Sequence, residues 1–373
     1  MYEPREDSFL LEKYVKKLAF GKVLDMGTGS GIQIEAALKS KNVKTALASD
    51  IDKSLLPKLK NKNFKVIHSD LFSNIKGKFD TIIFNPPYLP DSKHDDDKSL
   101  GGGKKGYELL VRFLNEANSF LNKDGIVLIV FSSITNKKII DQTIDDNLLE
   151  PELLEKKRIF FEELYVYKIS KSRLLKVMED SGLEDIKFFM KGHRGLIFKA
   201  RFEKKDVAVK IKRPESKAVD RICNEVRFLS VLNKKGIGPK PLFSLDDYFV
   251  YEFVKGEFIL DYFRKVSRKD IIRVIKDVLK QMNELDKLKI NKEEMHHPLK
   301  HVVIKNKKPI LLDFERCYYS KKPHNVTQFV QFVIKLNKEF KLDLNKKKLI
   351  EVSKKYKKEY SERYYKEIIK LID

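Results

Sequence analysis

The 373-residue chain has no tryptophan and only two cysteines, Cys223 and Cys317. Two cysteines are too few for a disulfide-built scaffold. No stretch approaches the length of a membrane span, and the start shows no charged-then-apolar leader. These absences predict a soluble chain of a reducing, cytoplasmic compartment with no membrane partner. The length leaves room for two domains, each with a core of its own. What the chain has in excess is positive charge, +23 overall, and it is unevenly spread. Residues 1–186 carry 30 Lys and Arg against 29 Asp and Glu, whereas residues 187–373 carry 47 against 25. Such a field favours polyanions, among them RNA, the ribosome and nucleotide phosphates; a merely solvated lysine-rich surface is an equal alternative.

In the first half, short β-branched runs alternate with helical patterns: KVLDMG (22–27), TALASD (45–50), FKVIHSD (64–70), FDTIIF (79–84) and GIVLIVFSS (125–133). Between the last two, Leu109, Leu110, Phe113, Leu114, Ala117, Phe120 and Leu121 recur at helical spacing. The alternation predicts an α/β fold with a parallel, doubly wound sheet and ligands beyond the carboxyl ends of its strands. After about residue 170 the rhythm changes. GLIFKARFE and DVAVKIKR predict a β-hairpin, DRICNEVRFLSVLN a helix and DYFVYEFV a strand, and helices dominate from about 260. This predicts a first domain over 1–170 and an α+β second domain over 171–373, with a β-rich lobe to about 255 and a helical lobe after it. The helix in SRLLKVMEDSG fits either side of the boundary. HDDDK (94–98) followed by GGGKKG (101–106) predicts a loop that serves as a lid.

VLDMGTGSG places Asp25, Gly27, Gly29 and Gly31 where the first strand turns into a helix, and glycines there let a ligand approach the backbone. Asp50, ending the second strand, is a candidate acceptor for ribose hydroxyls. Asp70, with Leu71 beside it, is a candidate acceptor for an adenine amino group. Alone, the glycine pattern fits a dinucleotide site equally well, and each acid fits a turn or cap. The fourth strand ends on Asn85, Pro86, Pro87 and Tyr88. Prolines cannot donate to a ladder, so the chain leaves the sheet there with carbonyls to spare.

Together these motifs resemble the class I S-adenosylmethionine-dependent methyltransferases, in the branch that modifies planar nitrogen. The resemblance implies that the Asn85 side-chain oxygen and the Pro86 carbonyl accept the two N–H groups of an amide or amino nitrogen. Pro87 fixes the turn and Tyr88 packs on the planar group. YEPREDSFLLEKYV (2–15) and GGGKKGYELLVRFL (101–114) are similar to the archaeal and eukaryotic branch of HemK-like protein glutamine methyltransferases, which act on the Gly-Gly-Gln loop of class 1 translation release factors. It implies Tyr2, Glu3, Pro4 and Asp7 at the mouth of the site. It also implies a small zinc-binding activator subunit, seated on an exposed apolar patch near NFKVI (63–67). An adenine-directed RNA or DNA methyltransferase, guided by the basic half, is the alternative.

In the second half, KGHRGLIFKARFEKKDVAVKIKRPE has the order of a kinase nucleotide lobe, with Gly192 and Gly195 in a turn between strands, Lys210 in VAVK and Glu225 in the next helix. YEFVKGE, with Glu252 and Val254, resembles the hinge between lobes. LLDFERC puts Asp313 at the magnesium-binding position and Glu315 where a glycine usually stands. His296 and His301 fall near the places of the base aspartate and the metal-binding asparagine. These stretches resemble predicted archaeal Ser/Thr kinases related to the RIO and lipopolysaccharide-kinase families. ATP and Mg²⁺ are the cofactors so implied, and a pseudokinase scaffold is the alternative. Tyr356, Tyr360 and Tyr364 repeat every four residues in a lysine-rich helix, a row read as packing on its own domain.

Overall fold

The structure, a computed structural model, describes residues 3–59, 64–88, 103–192, 195–212 and 221–373. Tyr2 and the candidate lid segment 94–98 lie outside the described residues. The chain forms two compact units, one of residues 1–190 with 198–204 and one of residues 191–197 with 205–373.

In the first unit the elements follow in the order α1 (Glu6–Leu18), β1 (Gly21–Met26), α2 (Ile32–Leu38), β2 (Val43–Asp50), α3 (Leu55–Leu59), β3 (Lys65–His68), β4 (Phe79–Phe84), α4 (Glu108–Phe120), β5 (Leu121–Ser132), α5 (Lys137–Asp146), β6 (Leu149–Ile159), β7 (Glu162–Lys171) and α6 (Arg173–Asp180). One seven-stranded sheet has the order β3-β2-β1-β4-β5-β7-β6. Its first five strands are parallel, and β7 and β6 run antiparallel. The five strands anticipated from apolar runs are all present. β1 and β4 are largely buried on both faces, so Val23, Leu24 and Met26 on one and Ile82, Ile83 and Phe84 on the other read as apolar runs, with Asp25 and Thr81 buried among them. On α4, Leu110, Phe113, Leu114 and Ala117 are buried, as their spacing requires. The order reverses between β1 and β4, a switch point of the kind at whose carboxyl ends such sheets bind ligands.

The division expected between residues 170 and 171 is displaced toward residue 190, because helix α6 is tied to the first unit by buried polar contacts. Lys171 is buried and its Nζ donates to the Leu121 carbonyl at 2.8 Å and to Glu179 Oε1 at 2.5 Å. Asn118 Nδ2 donates to the Ile186 carbonyl at 2.9 Å.

The chain continues through β8 (Glu184–Lys191), β9 (Gly195–Phe202), β10 (Lys205–Lys212), α7 (Arg221–Asn233), β11 (Pro241–Ser244), β12 (Tyr248–Glu252), β13 (Glu257–Phe258), α8 (Ile259–Phe263), α9 (Arg268–Lys287), β14 (Ile290–Asn291), β15 (Val302–Lys305), β16 (Lys308–Leu311), β17 (Tyr318–Tyr319), α10 (Asn325–Glu339), α11 (Lys346–Glu359) and α12 (Glu362–Lys370). In the second unit β10 and β11 each pair antiparallel with β12. A helical core built on α9, α10 and α11 buries Ile275, Leu279, Met282, Phe329, Val333 and Val352. The tyrosines pack on their own domain, but not as a row on one helix as expected: α11 ends at Glu359, Tyr360 caps it with φ of 51°, and Tyr364 lies in α12. Tyr356 is buried, its hydroxyl 2.9 Å from Asn283 Oδ1 and 3.1 Å from Asp286 Oδ2, and Tyr360 donates to the Pro323 carbonyl. No helix among the described residues is long and apolar enough to cross a membrane.

Candidate functional site

The parallel strands deliver their acids to one edge of the sheet. Pairing of Met26 with Ser49 and with Phe84 puts the ends of β1, β2 and β4 side by side. Gly27, Gly29 and Gly31 all have positive φ, at 61, 51 and 84°, which side chains resist, and this lets the turn fold tightly over the strand ends. A Cβ on Gly27 would also lie 3.3 Å from the Phe84 ring. Asp50 bridges this turn to its own strand end. The Gly29 N–H donates to its Oδ2 and the Asp52 N–H to its Oδ1, each at 2.9 Å. Asp25, only 1% exposed, accepts from the Thr28 hydroxyl at 2.6 Å. Burial pushes its carboxyl up to about 7, against the Thr28 and Ile34 hydrogen bonds, and the Asp50 charge adds to the rise.

Asp70 lies two residues past the end of β3 and pairs with Arg112 Nη2 at 3.0 Å. Leu71 beside it is buried with φ of 45°. The turn is pinned by Ser69, whose N–H donates to the Asp50 carbonyl and whose hydroxyl donates to the Leu71 carbonyl. The glycine turn, Asp50 and Asp70 thus present backbone and carboxylate acceptors to one crevice. That donor and acceptor set fits a nucleoside carrying a short charged tail.

Asn85 has a one-sided environment. Its Nδ2 donates to Asp7 Oδ2 at 3.1 Å and to Ser8 Oγ at 3.2 Å. Its Oδ1 is buried and meets no hydrogen-bond partner among the described residues. Asp7, predicted at the mouth of the site, is in fact buried and accepts the Ser8 N–H at 2.7 Å, so it acts on the site through Asn85. Glu3 is exposed and Pro4 half-buried. Pro86 is buried, while Pro87 and Tyr88 are half-buried. Burial and the charges of Asp7 and Glu162 push the Tyr88 hydroxyl far up, keeping it a neutral phenol. Sequence reasoning did not find Ser8 or Gln33, whose Nε2 donates to the Ser8 carbonyl at 2.8 Å and secures α1 against α2. Nothing in residues 8 or 33 alone signals a role; only the Ser8 hydrogen bond to Asn85, and the Gln33 hydrogen bond to Ser8, do.

A second cluster forms within the other unit. Lys210 Nζ lies 2.6 Å from Glu225 Oε2, 3.1 Å from Asp313 Oδ1 and 3.1 Å from Glu315 Oε2. Burial works against the Lys210 charge, but Glu225, Asp313 and Glu315 together hold its pKa well above the usual lysine value. Burial also opposes ionisation of Asp313, yet Lys210, Lys292 and His301 hold its carboxyl well below the carboxylate range. Glu225, Asp313 and Glu315 bring ligand oxygens within 4.8 Å of one another. Of the two histidines singled out, His301 joins the cluster, with Nδ1 3.8 Å from Asp313 and Nε2 3.1 Å from Glu294, while His296 is exposed. Lys292, which the sequence did not single out, is buried and donates to the Asp313 carbonyl. The Gly192 N–H closes a turn on the Gly195 carbonyl at 2.9 Å. Glu252 is exposed and pairs with Lys305, and Val254 is half-buried.

The family described as methyltransferase small domain matches residues 6–161. A candidate protein N5-glutamine methyltransferase of Methanocaldococcus jannaschii is 40% identical over 182 residues, covering 44% of this chain and 89% of the relative. The release factor glutamine methyltransferase of Borreliella burgdorferi is 35% identical over 132 residues, or 31% of this chain and 46% of that protein. The chain therefore spans about half the length of that bacterial relative. The solved structure of the E. cuniculi Mtq2-Trm112 complex, responsible for methylation of the eRF1 translation termination factor, is 27% identical with a TM-score of 0.40, covering 46% of this chain and 98% of that one. These matches fall in the half that carries the glycine turn and Asn85, and through it the chain belongs to the protein N5-glutamine methyltransferase family of S-adenosylmethionine-dependent enzymes.

Proposed function

We propose that this chain methylates the side-chain amide nitrogen of a protein glutamine, and that the acceptor is the glutamine of the Gly-Gly-Gln loop in a class 1 translation release factor. The observation that carries this reading is the one-sided hydrogen bonding of Asn85: its donors are held by Asp7 and Ser8 while its buried Oδ1 is left to accept. A primary amide has two N–H groups and a delocalised lone pair. Accepting both N–H groups, one on Asn85 Oδ1 and one on the Pro86 carbonyl, turns the nitrogen without demanding a strong base. Were the Asn85 amide turned the other way round, its own N–H donors would meet the substrate's donors. Tyr88, held neutral, offers its ring face to the planar substrate. Asp25, Gly27, Gly29, Gly31, Asp50, Asp70 and Leu71 are the residues that would hold S-adenosylmethionine, which supplies a methyl group on a sulfonium sulfur. The names of the bacterial relatives support the same acceptor class.

The test is transfer of labelled methyl from S-adenosylmethionine to the cognate release factor, with and without the small zinc-binding activator that the resemblance implies. Label is expected in the release factor, and lost both with Asn85→Ala and with a release factor whose Gly-Gly-Gln glutamine is replaced. Label that disappears on nuclease rather than protease treatment would transfer the site to a nucleobase.

For the second unit we propose a nucleotide site, on the observation that one buried lysine meets three carboxylates. In this reading Gly192 and Gly195 face the phosphates, Glu252 and Val254 border the base, and Asp313 ligates Mg²⁺ with help from Glu225 or Glu315. His301 is better placed than His296 to act near a transferred phosphoryl group. ATP with Mg²⁺ should raise the melting temperature of the full chain, and Lys210→Met should remove that rise. A chain indifferent to millimolar MgATP would leave the unit as a scaffold.

A further inference from the structure

Strand β7 enters the sheet antiparallel to β5, so the β6–β7 hairpin turns at the same edge where β1, β2 and β4 end. Ser132, the last residue of β5, pairs with Leu164, and Ile159 pairs with Glu162. The turn residues Phe160 and Phe161 therefore project past the end of β5 on the side of the catalytic crevice. They are 93% and 101% exposed, the most exposed of the large apolar side chains among the described residues. Phe160 has φ of 21°, a conformation that costs energy for any residue with a Cβ. Two solvated phenylalanines on a strained turn lower stability and contribute nothing to the core. The hairpin is nonetheless held firmly at its base. Glu162 accepts the Ser132 hydroxyl, the Glu163 N–H donates to Ser133 Oγ at 3.0 Å, and Lys156 pairs with Glu163 at 2.9 Å. The Glu162 charge also helps to raise the Tyr88 hydroxyl, in keeping with a hairpin base on the same edge of the sheet as the Asn85 turn.

We propose that the Phe160–Phe161 tip is a docking surface for the protein that carries the acceptor glutamine. The inference rests on the glutamine reading above and adds to it how the enzyme engages the body of its substrate. A single amide in the Asn85 pocket provides little binding energy, so a macromolecular acceptor needs anchors outside it. Rigidly presented aromatic rings are efficient anchors, because they bury a large area at small conformational cost. The occupant is the release factor itself, on the surface that flanks its Gly-Gly-Gln loop.

The experiment compares the full-length wild type with the Phe160→Ser/Phe161→Ser double variant, using the intact release factor as substrate. Both positions are fully solvated, so S-adenosylmethionine affinity and the melting temperature should be unchanged, which reports that the fold is kept. KM for the release factor should rise about tenfold or more with kcat nearly constant, as expected for the loss of binding contacts outside the reacting centre. Wild-type labelling with equal kcat/KM in the double variant overturns the docking surface alone, and a change in oligomeric state alongside that equality assigns the tip to self-association. Failure of the wild type to label the release factor overturns the underlying glutamine reading instead.

Discussion

Asn85 depends on partners that each do one thing. Asp7 and Ser8 take its two N–H directions, and this is what leaves the buried Oδ1 of Asn85 free to accept among the described residues. Ser8→Ala removes one of the two acceptors without altering Asn85 itself. It should lower kcat by about tenfold while leaving S-adenosylmethionine affinity unchanged, because the amide loses orientation and not contact with cofactor. A parallel loss of cofactor affinity would refute this. Asp25 makes a different statement. Its carboxyl is raised from 3.8 to about 7, so between those values the folded chain binds a proton that the unfolded chain has released. Its contribution to stability is therefore complete below about pH 4 and is lost as pH rises through about 7. The full span corresponds to about 4 kcal/mol. Asp25→Asn keeps the neutral shape, and denaturant unfolding of the variant between pH 4 and 8 should lose the downward slope that the wild type shows. Equal slopes would mean that Asp25 is ionised throughout. Asp25, Asp50 and Asn85 stood out in the sequence as candidates because each falls at or next to the end of a strand, on a residue that strands do not favour. The roles of Ser8 and Gln33 were not legible, since a serine and a glutamine in an amphipathic helix look like ordinary surface choices until α1 is packed against α2.

Elements in the second unit are joined through one carboxylate. Asp286, near the end of α9, accepts the Asn325 and Val326 N–H groups at the start of α10 and lies 3.1 Å from the Tyr356 hydroxyl of α11. It also accepts Asn325 Nδ2 at 2.7 Å. Burial raises its pKa, in opposition to these hydrogen bonds, which lower it. Asp286→Ala leaves several buried donors without an acceptor and should destabilise the fold by about 3 kcal/mol, read as a fall in the urea midpoint with unchanged m-value. Tyr356→Phe removes only one donor and should cost about 1 kcal/mol. Helices were anticipated from about residue 260 onward, but the convergence of α9, α10 and α11 on residue 286 is a long-range fact. The same holds at the domain boundary. SRLLKVMEDSG is a helix on either reading, and only the buried Lys171–Glu179 pair and the Asn118–Ile186 hydrogen bond assign it to the first unit.

Charge asymmetry is a property of the whole molecule. The methyltransferase unit is nearly neutral, and the excess charge lies in residues 187–373. Part of it is concentrated on α11, where Lys346, Lys347, Lys348, Lys354, Lys357 and Lys358 are exposed while Leu349, Val352 and Tyr356 face the core. The full chain should bind ribosomes or structured RNA with strong salt dependence, losing about a thousandfold in affinity between 50 and 200 mM salt if about six phosphates are contacted. Replacing Lys346, Lys347, Lys354 and Lys358 by Glu should flatten that dependence without changing methyl transfer to free release factor. Binding that is weak at low salt, or insensitive to salt, would reduce the charge to a means of solubility.

Local rules are short-ranged, and the sequence carried what they encode. Apolar runs, glycine punctuation and the break at Asn85-Pro86-Pro87 determined the parallel strands, the glycine turn and the point where the chain leaves the fourth strand, because each depends on a few consecutive residues. Tertiary structure alone decided which end of the Asn85 amide is available, which of His296 and His301 meets Asp313, and that the Glu315 carboxylate closes on Lys210. These outcomes depend on burial and on partners far away along the chain, 78 residues for Asn85 and Asp7 and 103 for Lys210 and Asp313. Hydrogen-bond direction and charge pairing are strong only where water is excluded, and packing, not local sequence, determines where that is.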